Sequence, residues 1–164
     1  MTEAGVREPE ALAHARQFLD EKRVRFLIHI HPEEIVTARD GVGHGFGRRE
    51  QMAPSFVVRT SNGPVLAVIQ GSRRLSYKKL KRLLGVKDIS LASPEEVIAV
   101  TGTPVGSVSL VQVNIPVIFD TRLLEEKVIF GGCGVANATL EISPSDLIGV
   151  LDADIADISD VRVE

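Results

Sequence analysis

Apolar positions along the chain change period several times, and each change marks an element. After Pro9, Leu12, Ala15 and Leu19 recur at i, i+3 and i+7, while Glu10, Arg16, Asp20 and Lys22 are left for solvent. That spacing predicts a helix over about 8–22, opened by the proline. RFLIHIH at 25–31 alternates instead and predicts a strand that Pro32 stops. DGVGHGFGRRE at 40–50 has neither period, and its glycines and charges predict a mobile surface loop. SFVVRTSNGPVLAVIQG then places two β-type runs around Asn62-Gly63, the dipeptide suited to a type I′ turn, and predicts a hairpin.

The second half is punctuated by serine caps. Ser76 precedes YKKLKRLLG, with Tyr77, Leu80 and Leu84 as its apolar face and Gly85 as its end. DISLA predicts a short strand, and SPEEVIAVTG a helix with Ser93 as N-cap, Pro94 at N1 and Glu96 at N3 of a capping box. IPVIFD at 115–120 reads as a buried strand ending in an acid, RLLEE as a short helix, KVIF and ATLEI as strands either side of the GGCG break. SPSDLIGVL repeats the Ser-Pro helix start, and IADISDVRV predicts a terminal strand. Short helices among many strands, without regular βαβ alternation, predict an α+β fold on a mixed, partly curled sheet.

Composition narrows this picture. At 164 residues, with 44% hydrophobic and 25% charged positions, the chain fits one ordinary domain spanning 1–164. Aromatics are only 4%, so the core rests on Val, Ile and Leu, which suits strands. The formal net charge of −3 excludes a polycation, so any nucleic-acid contact must come from a local patch. A single cysteine, Cys133, excludes an internal disulfide and a cysteine-based zinc cluster. No run has the length and apolarity of a membrane span, and the first twenty residues contain acids and no signal-peptide core, so a cytoplasmic protein is expected.

Candidate chemistry concentrates in the backbone. TGTPVGSVS at 101–109 carries Gly102, Thr103, Pro104, Gly106 and Ser107, which expose N–H groups under little side-chain bulk. Such a loop can bind an anion or the carbonyl oxygen of a reacting ester; a plain turn with Gly102 closing a helix is the structural alternative. GGCG at 131–134 is a second backbone-rich turn, where Gly132 and Gly134 permit close approach and Cys133 reads as a small buried hydrophobe. Asp120 is placed to cap the following helix, to hold a substrate group, or both. His29 and His31 share a strand face, but no third ligand stands at a metal-binding spacing, and His44 lies alone in the glycine-rich segment. Arg73, Arg74, Lys78, Lys79, Lys81, Arg82 and Lys87 form a basic cluster in an acidic chain; a solvated helix face and a phosphate-contacting face both fit it.

Taken together the motifs resemble the YbaK/ProX family, related to the editing domain inserted in bacterial prolyl-tRNA synthetases. The resemblance runs from about residue 23 to the end. IHIHPE looks like its strand ending in His-Pro. PVLAVIQGSRRLSYKKLKRLLGVKDISLASPEEVIAVTGTPVGSVS looks like its central signature, IPVIFDTRLL like its strand ending in an acid, and GGCGVANATLEISPSDL like its glycine turn, strand and Ser-Pro helix.

The resemblance implies a compact α+β domain around a barrel-like, mostly antiparallel sheet, with the N-terminal helix appended. It implies a trans-editing deacylase that hydrolyses the ester joining a wrong, small amino acid to the 3′ adenosine of a tRNA, without metal or organic cofactor. The implied catalytic set is Gly102, Thr103, Gly106, Ser107 and Asp120. Ser55, Pro104, Gly132, Gly134 and His31 would meet the substrate, and Arg73, Arg74, Lys78, Lys79, Lys81 and Arg82 the tRNA. The implied partners are the acceptor end of an aminoacyl-tRNA and, as a second candidate, an aminoacyl-tRNA synthetase, with no membrane. One departure stands out: where the family has a lysine starting the hairpin strand, this chain has Pro54, followed by Ser55. Proline supplies neither charge nor donor, so Arg48, Arg49 and Arg59 become the nearby candidates to replace it. A non-catalytic module binding a tRNA end or a synthetase, and a small-ligand pocket without RNA, are the alternative functions.

Overall fold

The computed structural model describes residues 8–162. Helix α1 (Glu10–Glu21) buries Leu12, Ala15 and Leu19, the stripe its spacing predicts. Strand β1 (Phe26–Ile30) pairs antiparallel with β8 (Ala138–Ile142), which pairs in turn with β7 (Ile129–Gly131). The hairpin is present as β2 (Ser55–Thr60) and β3 (Val65–Val68), in the register Ser55↔Val68 to Val58↔Val65. Its turn is not type I′, because Asn62 keeps a negative φ and only Gly63 goes positive, at 104°. Thr60 closes the turn instead: its carbonyl accepts from Gly63 N, and its hydroxyl accepts from Asn62 N and donates to Gly63 O.

Around that hairpin a five-stranded mixed sheet forms in the order β5 (Ile89–Leu91), β2, β3, β6 (Val117–Asp120), β9 (Asp154–Ala156). The pairings of β3 with β6 and β6 with β9 are parallel, and the others antiparallel. A two-stranded ribbon joins β4 (Arg73–Leu75) to β10 (Ser159–Val161). Among the described residues the recorded pairings make three sheets and do not close into a barrel.

The central strands are apolar on both faces because both are covered. Leu66, Val68, Val117 and Phe119 point into the main core with α1, β7 and β8. Their alternating neighbours Val65, Ala67 and Ile118 point into a smaller core with Leu80 and Ile158. Two-sided burial turns an alternating pattern into the continuous apolar runs seen in the sequence.

The three serine caps form as the sequence predicts. Ser76, Ser93 and Ser143 each accept from the amide three residues on, opening α3 (Tyr77–Leu84), α4 (Pro94–Thr101) and α5 (Pro144–Leu151). One expectation is corrected. The glycine-rich stretch at 40–50 is not a featureless loop but holds helix α2 (Ala38–Gly43) and a 3-10 turn (Arg49–Gln51). Thr37 accepts from Asp40 N, and Asp40 accepts from Val36 N, so the cap outweighs the poor helix propensity of the glycines. Among the described residues no helix is long and apolar enough to cross a membrane.

Candidate functional site

The two backbone-rich turns meet. Leu110 N donates to Gly132 O at 2.9 Å, and a Cβ at Gly132 would collide with the carbonyl of Val108. Gly131 is equally tight against Leu110. Gly106 has φ +88° and would set a Cβ 2.9 Å from Val36 Cβ. Glycine is therefore required at 106 by backbone conformation and at 132 by close approach.

Gly106 and Gly132 line one cleft of about 1180 Å³ together with Pro54, Ser55 and Thr139. Four of the scarce aromatics, Phe46, Phe56, Tyr77 and Phe130, also line it, and Phe46 stacks on Phe130 with ring centroids 5.4 Å apart. Among the described residues six cationic side chains border it: Arg39, Arg49, Arg73, Arg74, Lys78 and Arg162. Among the described residues the single lining carboxylate is Asp160, which lies 3.1 Å from Lys79 Nζ and is held below the usual carboxylate range chiefly by that hydrogen bond. The cleft is thus strongly cationic although the chain is acidic overall.

The amides of the glycine loop are unequal. Gly102 N donates to Ile98 O, as the left-handed cap of α4. Thr103 N is held by the Thr101 hydroxyl, and Ser107 N by Pro104 O. Among the described residues Gly106 N and Gly132 N donate no hydrogen bond. Pro104, Ser107 and Gly134 face a separate recess of about 430 Å³, and Gly134 also packs against Ala11 of α1, where a Cβ would lie 2.5 Å from the alanine methyl.

Asp120, expected beside the substrate, is fully buried and does not line the cleft. Its carboxylate accepts from Arg122 N at 2.9 Å, from Ile158 N at 3.0 Å and from the Arg122 guanidinium, so it caps the 3-10 turn that follows and ties β10's approach to the sheet. His31, also expected at the substrate, is buried one layer behind the cleft. Its Nδ1 contacts Glu33 O at 2.6 Å and its Nε2 contacts Thr139 Oγ1 at 2.9 Å. Thr139, which has no local signal in the sequence because its strand reads simply as β, is the cleft-lining residue that His31 contacts.

The basic cluster also divides. Arg73, Arg74 and Lys78 line the cleft, while Lys81 and Arg82 do not. Lys79 is neutralised by Asp157 and Asp160, each at 3.1 Å. Of the candidate replacements for the missing lysine, Arg48 pairs with Glu126 and Glu50, and Arg59 with Glu96. Arg49 alone of the three lines the cleft. Cys133 is fully buried, and burial pushes its thiol up to about 12, which rules it out as a nucleophile near neutrality. Among the described residues no cluster of His, Cys, Asp and Glu is arranged to hold a metal.

Known proteins are similar to this chain in sequence or in fold. The family described as aminoacyl-tRNA editing domain matches residues 32–150. Hypothetical protein APE2540 is 30% identical, with a TM-score of 0.83 over 88% of this chain and 98% of that one. A protein described as a candidate trans-editing enzyme for prolyl tRNA synthetase has a TM-score of 0.84 over 94% of this chain and 99% of its own; at 24% identity it speaks for the fold alone. The proline–tRNA ligase of Solidesulfovibrio magneticus is 42% identical over 77 residues, 46% of this chain and 13% of the ligase. That of Thermodesulfovibrio yellowstonii is 34% identical over 111 residues, 66% of this chain and 18% of the ligase. The matched stretch is thus under a fifth of either ligase.

Proposed function

The chain belongs to the aminoacyl-tRNA editing domain family, and from that premise we propose that it is a trans-editing deacylase hydrolysing the ester of a small, wrongly attached amino acid on tRNA. The observation that carries this reading is a pair of glycines, Gly106 and Gly132, that line one cationic cleft and whose amides donate no hydrogen bond among the described residues. Amides fixed in this way can receive the oxyanion that develops when an ester carbonyl is attacked. One such donor lowers a barrier by about 3 kcal/mol. The cationic rim of Arg73, Arg74 and Lys78 suits the phosphates leading to the ester.

Proton transfer falls to the substrate side in this reading. Asp120 is occupied by internal donors, and Asp160, the one carboxylate lining the cleft among the described residues, is engaged by Lys79. A free hydroxyl on the terminal ribose is then the group that orients or activates the attacking water, with Ser55 and Thr139 as hydrogen-bonding partners on the wall.

The test is the half-life of the ester on Ala-, Cys- and Ser-charged tRNAs with and without the protein. Faster loss of at least one amino acid is expected, and unchanged half-lives across the panel would overturn the proposal. Pro54 in the cleft wall favours a second reading, a non-catalytic module that binds a tRNA end or a synthetase. An inactive parent that gains hydrolysis on Pro54→Lys would support that reading.

A further inference from the structure

Arg49 has an unusual environment. Its Nε is sealed from solvent and has no hydrogen-bond partner, the one buried side-chain nitrogen or oxygen so placed among the described residues. The residue lines the cleft, and among the described residues it makes no ion pair, whereas its neighbours Arg48 and Arg59 are both tied to glutamates. A buried guanidinium donor without an acceptor is rare in folded proteins and calls for one.

The backbone beneath Arg49 is held closely. Met52 N donates to Arg49 O. A Cβ on Gly71 would lie 2.9 Å from that same oxygen and 2.5 Å from Ala38 Cβ, so only glycine lets the two segments meet there. The side chain therefore starts from a fixed point in the wall of the cleft that Pro54 and Ser55 also line.

We propose that Arg49 is an anion subsite that receives a phosphate oxygen of the nucleotide 3′ end. The inference deepens the reading above and rests on it. A guanidinium fork matches two phosphate oxygens, and a turn of the side chain that brings the sealed Nε out of the wall would let it engage them together with a terminal nitrogen. Phosphate is favoured over a lone carboxylate by the surroundings: among the described residues six cations against one acid line the cleft, and that acid is already paired with Lys79. Such an excess suits several charges in series. Arg49 thereby supplies the positive charge that Pro54 lacks, from a different point in the chain.

The test uses an ester-free probe, the trinucleotide CCA, titrated into the full chain over a range of salt concentrations. Arg49→Gln is expected to weaken binding at least tenfold and to lower the slope of log affinity against log salt by roughly 0.7, the contribution of one single-stranded phosphate contact. Arg49→Lys, which keeps the charge and loses the fork, should recover the slope and only part of the affinity. Arg48→Gln and Arg59→Gln should change neither. The proposal is overturned if Arg49→Gln binds like the parent, if Arg48→Gln or Arg59→Gln loses as much, or if the parent hydrolyses charged tRNA without binding the trinucleotide. A parent that binds CCA through Arg49 but hydrolyses no charged tRNA would leave this subsite standing while removing the deacylase reading.

Discussion

Nε2 of His31 lies 2.9 Å from the hydroxyl oxygen of Thr139, and the far side of the ring fixes the direction of that hydrogen bond. Nδ1 faces the carbonyl of Glu33 at 2.6 Å, and a carbonyl can only accept, so Nδ1 carries a proton. In the neutral ring Nε2 must then accept from Thr139, whose oxygen keeps its own acceptor capacity. Thr139→Val should strand the Nε2 acceptor and destabilise the protein by about 1–3 kcal/mol in urea unfolding. It should also slow deacylation roughly tenfold if one hydrogen bond of about 1.4 kcal/mol is lost in the transition state. Thr139→Ser should behave like the parent in both measurements.

Gly132→Ala should disturb the site more than its size suggests. The new methyl meets the Val108 carbonyl, which is backbone and cannot rotate away. Overpacking of this kind costs about 1–3 kcal/mol, and here it also shifts the backbone of a residue that lines the cleft. Gly85→Ala is the control: φ is +67° but the space is open, so it should cost about 1–2 kcal/mol and leave ester hydrolysis unchanged. Equal loss of activity in both variants would show that the 132 position acts only through stability.

Acid should loosen the contact between β10 and its neighbours. Hydrogen bonding to Arg122 first, and then to Lys79, holds Asp157 down to about 2 from its ordinary 3.8. A depressed folded value means that the ionised form stabilises the fold above pH 3.8, and that this contribution disappears as pH falls through about 2. Asp157→Asn should therefore lower the thermal midpoint at neutral pH, with the difference closing across that window. The side chain is half exposed, so added salt should shrink the effect. A difference that persists unchanged below pH 2 would contradict the assignment.

Lys78 and Lys79 should have opposite phenotypes although they are adjacent. Lys78 borders the cleft, whereas Lys79 is engaged by Asp157, Asp160 and Ser159 O. Lys78→Gln should reduce the salt slope of RNA binding by roughly 0.7 with little change in thermal midpoint. Lys79→Gln should lower the midpoint and leave the slope alone. The two measurements on the two variants separate a nucleic-acid contact from a tertiary tie.

What could be read from the sequence was local. Ser76, Ser93 and Ser143 cap from within their own turns, so their positions were plain before any tertiary contact was known. The hairpin runs were equally plain, but Thr60 rather than Asn62 decides the turn, because a side-chain hydroxyl closes it. Strand β4 was missed: Arg73 to Leu75 form a strand only by pairing with Ser159 to Val161, far along the chain. The site follows the same division. Two glycine turns suggested backbone donors, yet which donors stay free depends on the cap at Gly102 and the turn at Ser107. Asp120 looked available because its partners, Ile158 N and the Arg122 side chain, are invisible to spacing. Arg49 could not be chosen over Arg48 and Arg59 until Glu126 and Glu96 were seen to occupy the other two.

Helix α1 presses Ala11 against the back of Gly134, two residues along the turn from the glycine that borders the cleft. The opening helix thereby becomes a brace that reaches the chemistry without touching a ligand. Enlarging the methyl at position 11 would push on the turn, so the width of the cleft can be adjusted from a residue outside its lining, through a single short bend.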